Sequence, residues 1–194
     1  MKLGDLVIIR TGLVLSRKEV KPSEADYKYR ALNLKCVTND GKIIQSEVDD
    51  YYTNDNLKRE YFTYANDILV RLSTPYTILM IKKTDENLLI PSHFAIIRTG
   101  DYIDSNYLCW WLSKNRKQFF RFASGGTLMG TISSGYIADM IFEPLEIENQ
   151  HKIGRIHELA IREQQLLAAL SESKKKLIEA TLIKFDSSKG EMVL

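Results

Sequence analysis

Asp5 and the Glu19-Val20-Lys21 segment stand in the loose residue order of a metal-dependent nuclease triad, Asp…Glu-x-Lys. Metal-assisted phosphodiester cleavage uses such a combination of carboxylates and a lysine. Three common residue types at so permissive a spacing often coincide by chance, and this set is the only sequence support for catalysis. His93, His151 and His157 show no metal-ligand spacing with cysteine or carboxylate. His151 and His157 lie six apart, so on a helix they face different directions. None of Pro22, Pro75, Pro91 and Pro144 belongs to an Asp/Asn-Pro-Pro-Tyr/Phe motif that holds a flipped base. Gly125-Gly126 is not arranged as G-x-G-x-x-G, and no G-x-x-x-x-G-K-S/T occurs. The chain reads as non-catalytic, with no catalytic residues, no metal site and no cofactor of its own.

What remains is binding. The net charge of +2 is too small to point to a nucleic-acid partner, so distribution decides. From Ser105 to Ala138 there is no acidic residue, while Lys114, Arg116, Lys117 and Arg121 are basic. Arg10 to Lys35 holds seven Lys/Arg against three Asp/Glu, whereas Glu47, Asp49, Asp50 and Asp55 form an acidic patch. One basic face and one acidic face fit this distribution; a solvated mixed surface is the plainer alternative.

The elements that would position these residues follow from patterning. Leu6–Arg10 reads as a strand stopped by Thr11-Gly12, and Tyr29–Val37 as a strand closing at the hairpin signal Asp40-Gly41 into Lys42–Ile44. Asp67–Leu72, Tyr76–Ile81, Leu88–Pro91 and Phe94–Arg98 continue the strand pattern. Ser105 is the expected N-cap of a helix with Leu108, Trp111, Leu112, Phe119 and Phe122 on one face, and Lys114, Lys117 and Arg121 on the other. From Glu146 to Phe185 the only Gly or Pro is Gly154, which predicts one helix of roughly 55 Å at ~1.5 Å per residue. Ile153, Ile156, Ala160, Leu167, Leu170 and Leu177 fall on a 3-4 heptad stripe of that helix, the expected partner or dimer interface. Leu159 and Leu166 widen the stripe on one side, Ile178 and Phe185 on the other. The class is α+β: a strand-rich domain over residues 1–143, followed by one long coiled-coil-type helix and tail over 144–194.

At 44% apolar the chain can bury a core. No apolar run reaches the ~18 residues of a membrane span, and Met1-Lys2-Leu3-Gly4-Asp5 lacks a signal-peptide apolar region, so a cytoplasmic protein is expected. Cys109, within Leu108-Cys109-Trp110-Trp111-Leu112, reads as a buried free thiol.

Several segments, in order, resemble the specificity (S) subunits of type I restriction–modification systems. Leu3-Gly4-Asp5-Leu6-Val7 with Thr11-Gly12 is similar to the family's entry strand and loop, and Ala65-Asn66-Asp67-Ile68-Leu69-Val70 to its G/N-D-I-L strand. Asp104-Ser105-Asn106-Tyr107-Leu108 is similar to its D-x-x-Y-L element, and Gly125-Gly126-Thr127 through Ile132 to its Gly-Ser/Thr loop. Pro144-Leu145, Gln150 and Ile153 then open the long helix.

The resemblance implies a DNA-reading target-recognition domain on a helical spacer. Double-stranded DNA and methyltransferase (M) subunits are the implied partners, with a restriction/motor (R) subunit at a further remove, and no membrane. S-adenosylmethionine would belong to the methyltransferase subunit. Lys114, Lys117, Arg121 and the Gly125-Gly126-Thr127 loop would hold phosphates. Arg17, Lys18, Tyr29, Arg30, Ser92, His93, Thr127, Thr131 and Ser134 are the candidates for base edges. Full S subunits carry two recognition domains and two helices, and here there is one of each. A natural half-subunit, an isolated fragment and a truncated gene product all fit. A functional half would pair with itself or a second S half, as a two-fold homodimer over inverted half-sites. The alternative is a protein-interaction module or S-subunit fragment that does not read DNA independently.

Overall fold

The computed structural model describes residues 1–124 and 130–190. The chain divides into two compact units, Met1–Gly154 and Arg155–Leu194. The architecture is α+β, with two antiparallel sheets and one long C-terminal helix, as the patterning predicts.

In the first unit, the central sheet has the order β1-β6-β4-β5, with β1 Ile8–Thr11, β6 Phe94–Arg98, β4 Ile68–Arg71 and β5 Ile78–Met80. β6 occupies the predicted span. It is buried along nearly its whole length, because the apolar run Phe94-Ala95-Ile96-Ile97 faces a core on both sides. On one side, helix α1 (Ser105–Ser124) packs Leu108, Leu112 and Phe119 against Ile68, Val70, Ala95 and Ile97. On the other, Leu69, Leu79 and Ile96 meet Leu32, Cys36 and Val37. The Asp40-Gly41 turn forms, with Gly41 at φ +77° and a Thr38 amide to Lys42 carbonyl bond of 2.9 Å. The strand expected over Tyr29–Val37 ends at Ala31, however, and the turn's flanks pair only as an isolated Val37–Ile43 bridge.

The second sheet is a two-stranded ribbon, β2 Tyr27–Ala31 with β3 Asp49–Thr53. The sequence pattern gives only a weak strand signal for β3, which opens on two aspartates, residues that strands disfavour. The expected strand at Leu88–Pro91 forms only isolated bridges, to Leu13, Ala31 and Phe62. Its backbone groups serve several neighbours: the Leu89 amide donates to Arg30, the Ile90 amide to Tyr61, and the Ile90 carbonyl accepts from Leu13. Gly12 fits this crossing because a β-carbon there would lie 2.3 Å from the Pro91 carbonyl oxygen.

The N-cap of α1 is Asp104 rather than Ser105. Asp104 Oδ1 accepts the Tyr107 amide at 2.8 Å, while the Ser105 hydroxyl bonds that of Thr99. A short helix α2 (Ser134–Ala138) follows, capped by the Ser133 hydroxyl, which accepts the Tyr136 amide.

Helix α3 runs Ile147–Gly190, and the first unit includes its first two turns, past the expected domain end at 143. The buried Gln150 fixes them: its Oε1 accepts the Asp104 amide at 3.0 Å, and its Nε2 donates to the Leu145 and Tyr102 carbonyls. Ile153 packs against the main core. In the second unit, Ile156, Leu159, Leu166, Leu167, Leu170 and Leu177 are all exposed. Among the described residues no helix is long and apolar enough to cross a membrane.

Candidate functional site

The candidate binding residues fall into separate groups. The first is the β2–β3 ribbon and the turn beside it. In its register Lys28 faces Tyr52, Tyr29 faces Tyr51, and Arg30 faces Asp50. Alternation sends Tyr29 and Tyr51 inward, against Leu57, Leu89 and Phe62. Tyr29 therefore supports the fold instead of offering its ring outward. Its hydroxyl accepts the Leu57 amide and its ring packs on Phe62 at 5.2 Å. Lys28, Arg30, Asp50 and Tyr52 share the outer face.

On that face Lys28 Nζ bonds Asp50 at 2.8 Å and lies 5.6 Å from the Tyr52 ring centre. The Asp50 carboxylate, and then Tyr52, raise the Lys28 pKa above its ordinary value, so the ammonium is held charged. Arg30 Nη2 donates to the Gln45 carbonyl at 2.8 Å. The Arg17-Lys18 turn borders the ribbon, since the Val20 amide donates to the Tyr52 carbonyl and the Tyr51 hydroxyl to the Leu15 carbonyl. Lys18 pairs with Asp55. The expected separation into a basic and an acidic face does not hold here, because strand pairing sets acidic β3 beside basic β2.

A second group lies where β1 and β4 end and β6 begins. The Leu72 amide donates to the His93 carbonyl, and the Ile132 amide to the Leu72 carbonyl, which brings His93 and Thr131 to adjoining chain segments. Ser92 is tied to Leu13 through its amide. Ser134 shares a 2.8 Å hydroxyl contact with Thr11, and Thr131 bridges to Ser73. His93 and Thr131 are exposed.

The third group is the outer face of α1. Lys114, Lys117 and Arg121 are exposed, as the periodicity predicts, and Lys114 Nζ sits 5.1 Å over the Trp110 ring. Phe122, expected on the buried face, is 46% exposed and stacks on Tyr136 at 3.9 Å instead. Gly125, Gly126 and Thr127 lie outside the described residues. The expected α3 interface loses one member, Ile153, to the first unit's core, while Ile156, Ala160, Leu167, Leu170 and Leu177 stay exposed.

Asp5 of the nuclease-like set is engaged locally: its Oδ2 accepts the Lys2 amide at 3.2 Å. Among the described residues no three His, Cys, Asp or Glu are grouped to hold a metal. A shallow concavity of about 280 Å³ is lined by Tyr64, Ala65, Asn66, Asp67, Arg98, Thr99 and Ser105. Its one cation, Arg98, is neutralised by Asp67, which suits it to structure more than to anion capture.

No protein-family model matches the chain, and no curated protein matches it. Solved structures do. The HsdS subunit from Thermoanaerobacter tengcongensis superposes with a TM-score of 0.57 at 15% identity, over 92% of this chain and 46% of that one. A chain from a study of complex assembly and conformational transition in a type I R-M system gives 0.57 at 15% identity, over 91% and 40%. The type I S subunit from M. genitalium gives 0.50 at 16% identity, over 94% and 42%. This chain thus spans less than half the length of each of these three chains. Its own fold is that of the specificity subunits of type I restriction–modification systems.

Proposed function

We propose that this chain is a sequence-specific DNA-binding specificity subunit. It directs partner methyltransferase subunits, and through them restriction subunits, to a bipartite DNA site. The carrying observation is the fold likeness over more than nine-tenths of the chain. The exposed cations of α1 and of the ribbon support it, being suited to phosphates and base edges. The chain itself supplies no catalysis; S-adenosylmethionine belongs to the methyltransferase partner. The exposed α3 stripe pairs with that of a second copy, giving two inverted half-sites with an unread gap between them.

The test is sequence selection from random duplex DNA, with the full chain alone and with its methyltransferase subunit. A gapped, inverted motif is expected. Binding without sequence preference that vanishes at modest salt overturns this reading in favour of a protein-interaction module.

A further inference from the structure

The outer face of the β2–β3 ribbon combines features that phosphate binding alone does not require. Two strands ~4.8 Å apart form a ribbon that the ~12 Å major groove of B-DNA admits. Its inner face is committed to the core through Tyr29, Tyr51 and Ala31, so only the outer face can meet a ligand. That face presents Lys28, Arg30, Asp50 and Tyr52: two cations, one carboxylate and one aromatic hydroxyl.

Arg30 and Asp50 stand directly opposite across the strands, yet Asp50 is bound by Lys28 and Arg30 by the Gln45 carbonyl. The Gln45 bond uses one of the five guanidinium donors. A forked donor beside an acceptor is the complement of a G·C pair in the major groove. Guanine offers O6 and N7 as acceptors, and cytosine its N4 amino group as donor. A carboxylate is also unfavourable against a phosphate backbone, so Asp50 weakens binding wherever no base donor meets it. A ribbon that only held phosphates would gain from its removal.

We propose that the β2–β3 ribbon enters the major groove and reads bases, Arg30 addressing guanine and Asp50 the paired cytosine. The inference rests on the DNA-specificity reading and adds the reading element and the base pair. Lys28 leaves Asp50 on binding and turns to a neighbouring base or phosphate. Arg17 and Lys18, at the ribbon's edge, lie on the flanking backbone.

The experiment repeats the selection with full-length Arg30→Ala, Asp50→Ala and Arg30→Lys, in whichever state wild type selects a motif. These side chains are on the exposed face, and unchanged thermal melting confirms folding. Arg30→Ala should lose preference at one G·C position by about 5- to 150-fold while the rest of the motif persists. Arg30→Lys should retain part of that preference. Asp50→Ala should relax the same base pair and bind random duplex more tightly than wild type. Methylation of that guanine at N7 should block wild type and leave Arg30→Ala indifferent. A wild-type motif unchanged in both alanine variants overturns the inference and leaves the specificity reading standing. So does uniform weakening by Arg30→Ala, or tighter binding by Asp50→Ala with no change in preference. A wild type that selects no motif in either state overturns the specificity reading, and the inference with it.

Discussion

Arg98 grips both carboxylate oxygens of Asp67, Nε to Oδ1 and Nη2 to Oδ2, each at 2.9 Å. The pair ties the end of β6 to the residue just before β4. Its geometry leaves few groups unsatisfied: Arg98 Nη2 also donates to the Phe62 carbonyl, Asp67 Oδ2 accepts the Tyr64 amide, and the guanidinium lies 4.8 Å over the Tyr64 ring. The Asp67 side chain is 5% exposed and that of Arg98 22%. Removing one partner strands the other in a poorly hydrated site. Asp67→Ala should therefore destabilise the first unit by about 3–5 kcal/mol. Urea unfolding measures it, and a loss below ~1 kcal/mol would show the pair to be idle.

Gly154 is where α3 crosses the start of α1. A β-carbon there would lie 2.5 Å from Asp104 Oδ1 and 2.9 Å from the Tyr107 amide nitrogen. Helix propensity alone favours alanine over glycine by about 1 kcal/mol. Crowding the Asp104 cap opposes this by about 1–3 kcal/mol, so Gly154→Ala should lower the melting temperature. A rise would mean that the helices do not approach so closely.

Where one strand's own pattern sufficed, the sequence was readable: Phe94–Arg98 is β6, and β4 and β5 lie inside their predicted spans. Where a partner set the outcome, it was not. Asp49-Asp50-Tyr51-Tyr52-Thr53 carries a weak strand signal, and only pairing with β2 makes it β3. Without β3 the facing of β2 cannot be read from the sequence, so the inward packing of Tyr29 and the outward placement of Lys28, Asp50 and Tyr52 emerge only from the pairing. Alternation counted from the buried Tyr51 is the signal that gives this facing. Gly154 stood out as the only Gly or Pro in the helical run, but its use depends on Asp104, fifty residues earlier in the chain.

Both cysteines are buried and free of disulfides. Burial pushes the Cys109 thiol up to about 12, and raises that of Cys36 against the opposing Asn33 bond. A raised folded pKa favours the native state fully below the unfolded thiol's ~8.5, and the benefit fades as pH climbs toward about 12. In that window the unfolded chain binds fewer protons, so stability falls with pH. Urea unfolding between pH 8 and 10 should show a steeper decline for wild type than for Cys109→Ala, and native protein should resist thiol reagents until unfolded. Equal slopes and rapid native labelling would contradict the burial.

The α1 stripe should act on DNA differently from the ribbon. Replacing Lys114, Lys117 and Arg121 together with alanine should weaken binding to all sequences alike. The salt slope should flatten by as much as roughly 2 to 3 units if all three meet phosphate. The lost Lys114–Trp110 contact costs only ~0.5–1 kcal/mol at an exposed site, so the fold should persist. Unchanged affinity and slope would remove this face from the interface.

The final prediction concerns α3. Leu167 is 58% exposed and Leu170 51%, and both line a shallow apolar groove with Leu159 and Leu166. Burying such a side chain fully is worth ~1.5–3 kcal/mol, and soluble monomers rarely leave so long an apolar strip bare. Wild type should therefore dimerise in light scattering. Leu167→Asp with Leu170→Asp should abolish this, because two carboxylates would be desolvated without partners. The first unit should stay folded, since its core is built from β1, β4, β6 and α1 and the mutated positions lie outside it. A wild type that remains monomeric at high concentration but joins the methyltransferase subunit would assign the stripe to that partner. One that stays alone in both conditions, or a double mutant that assembles normally, would refute an assembling role for α3.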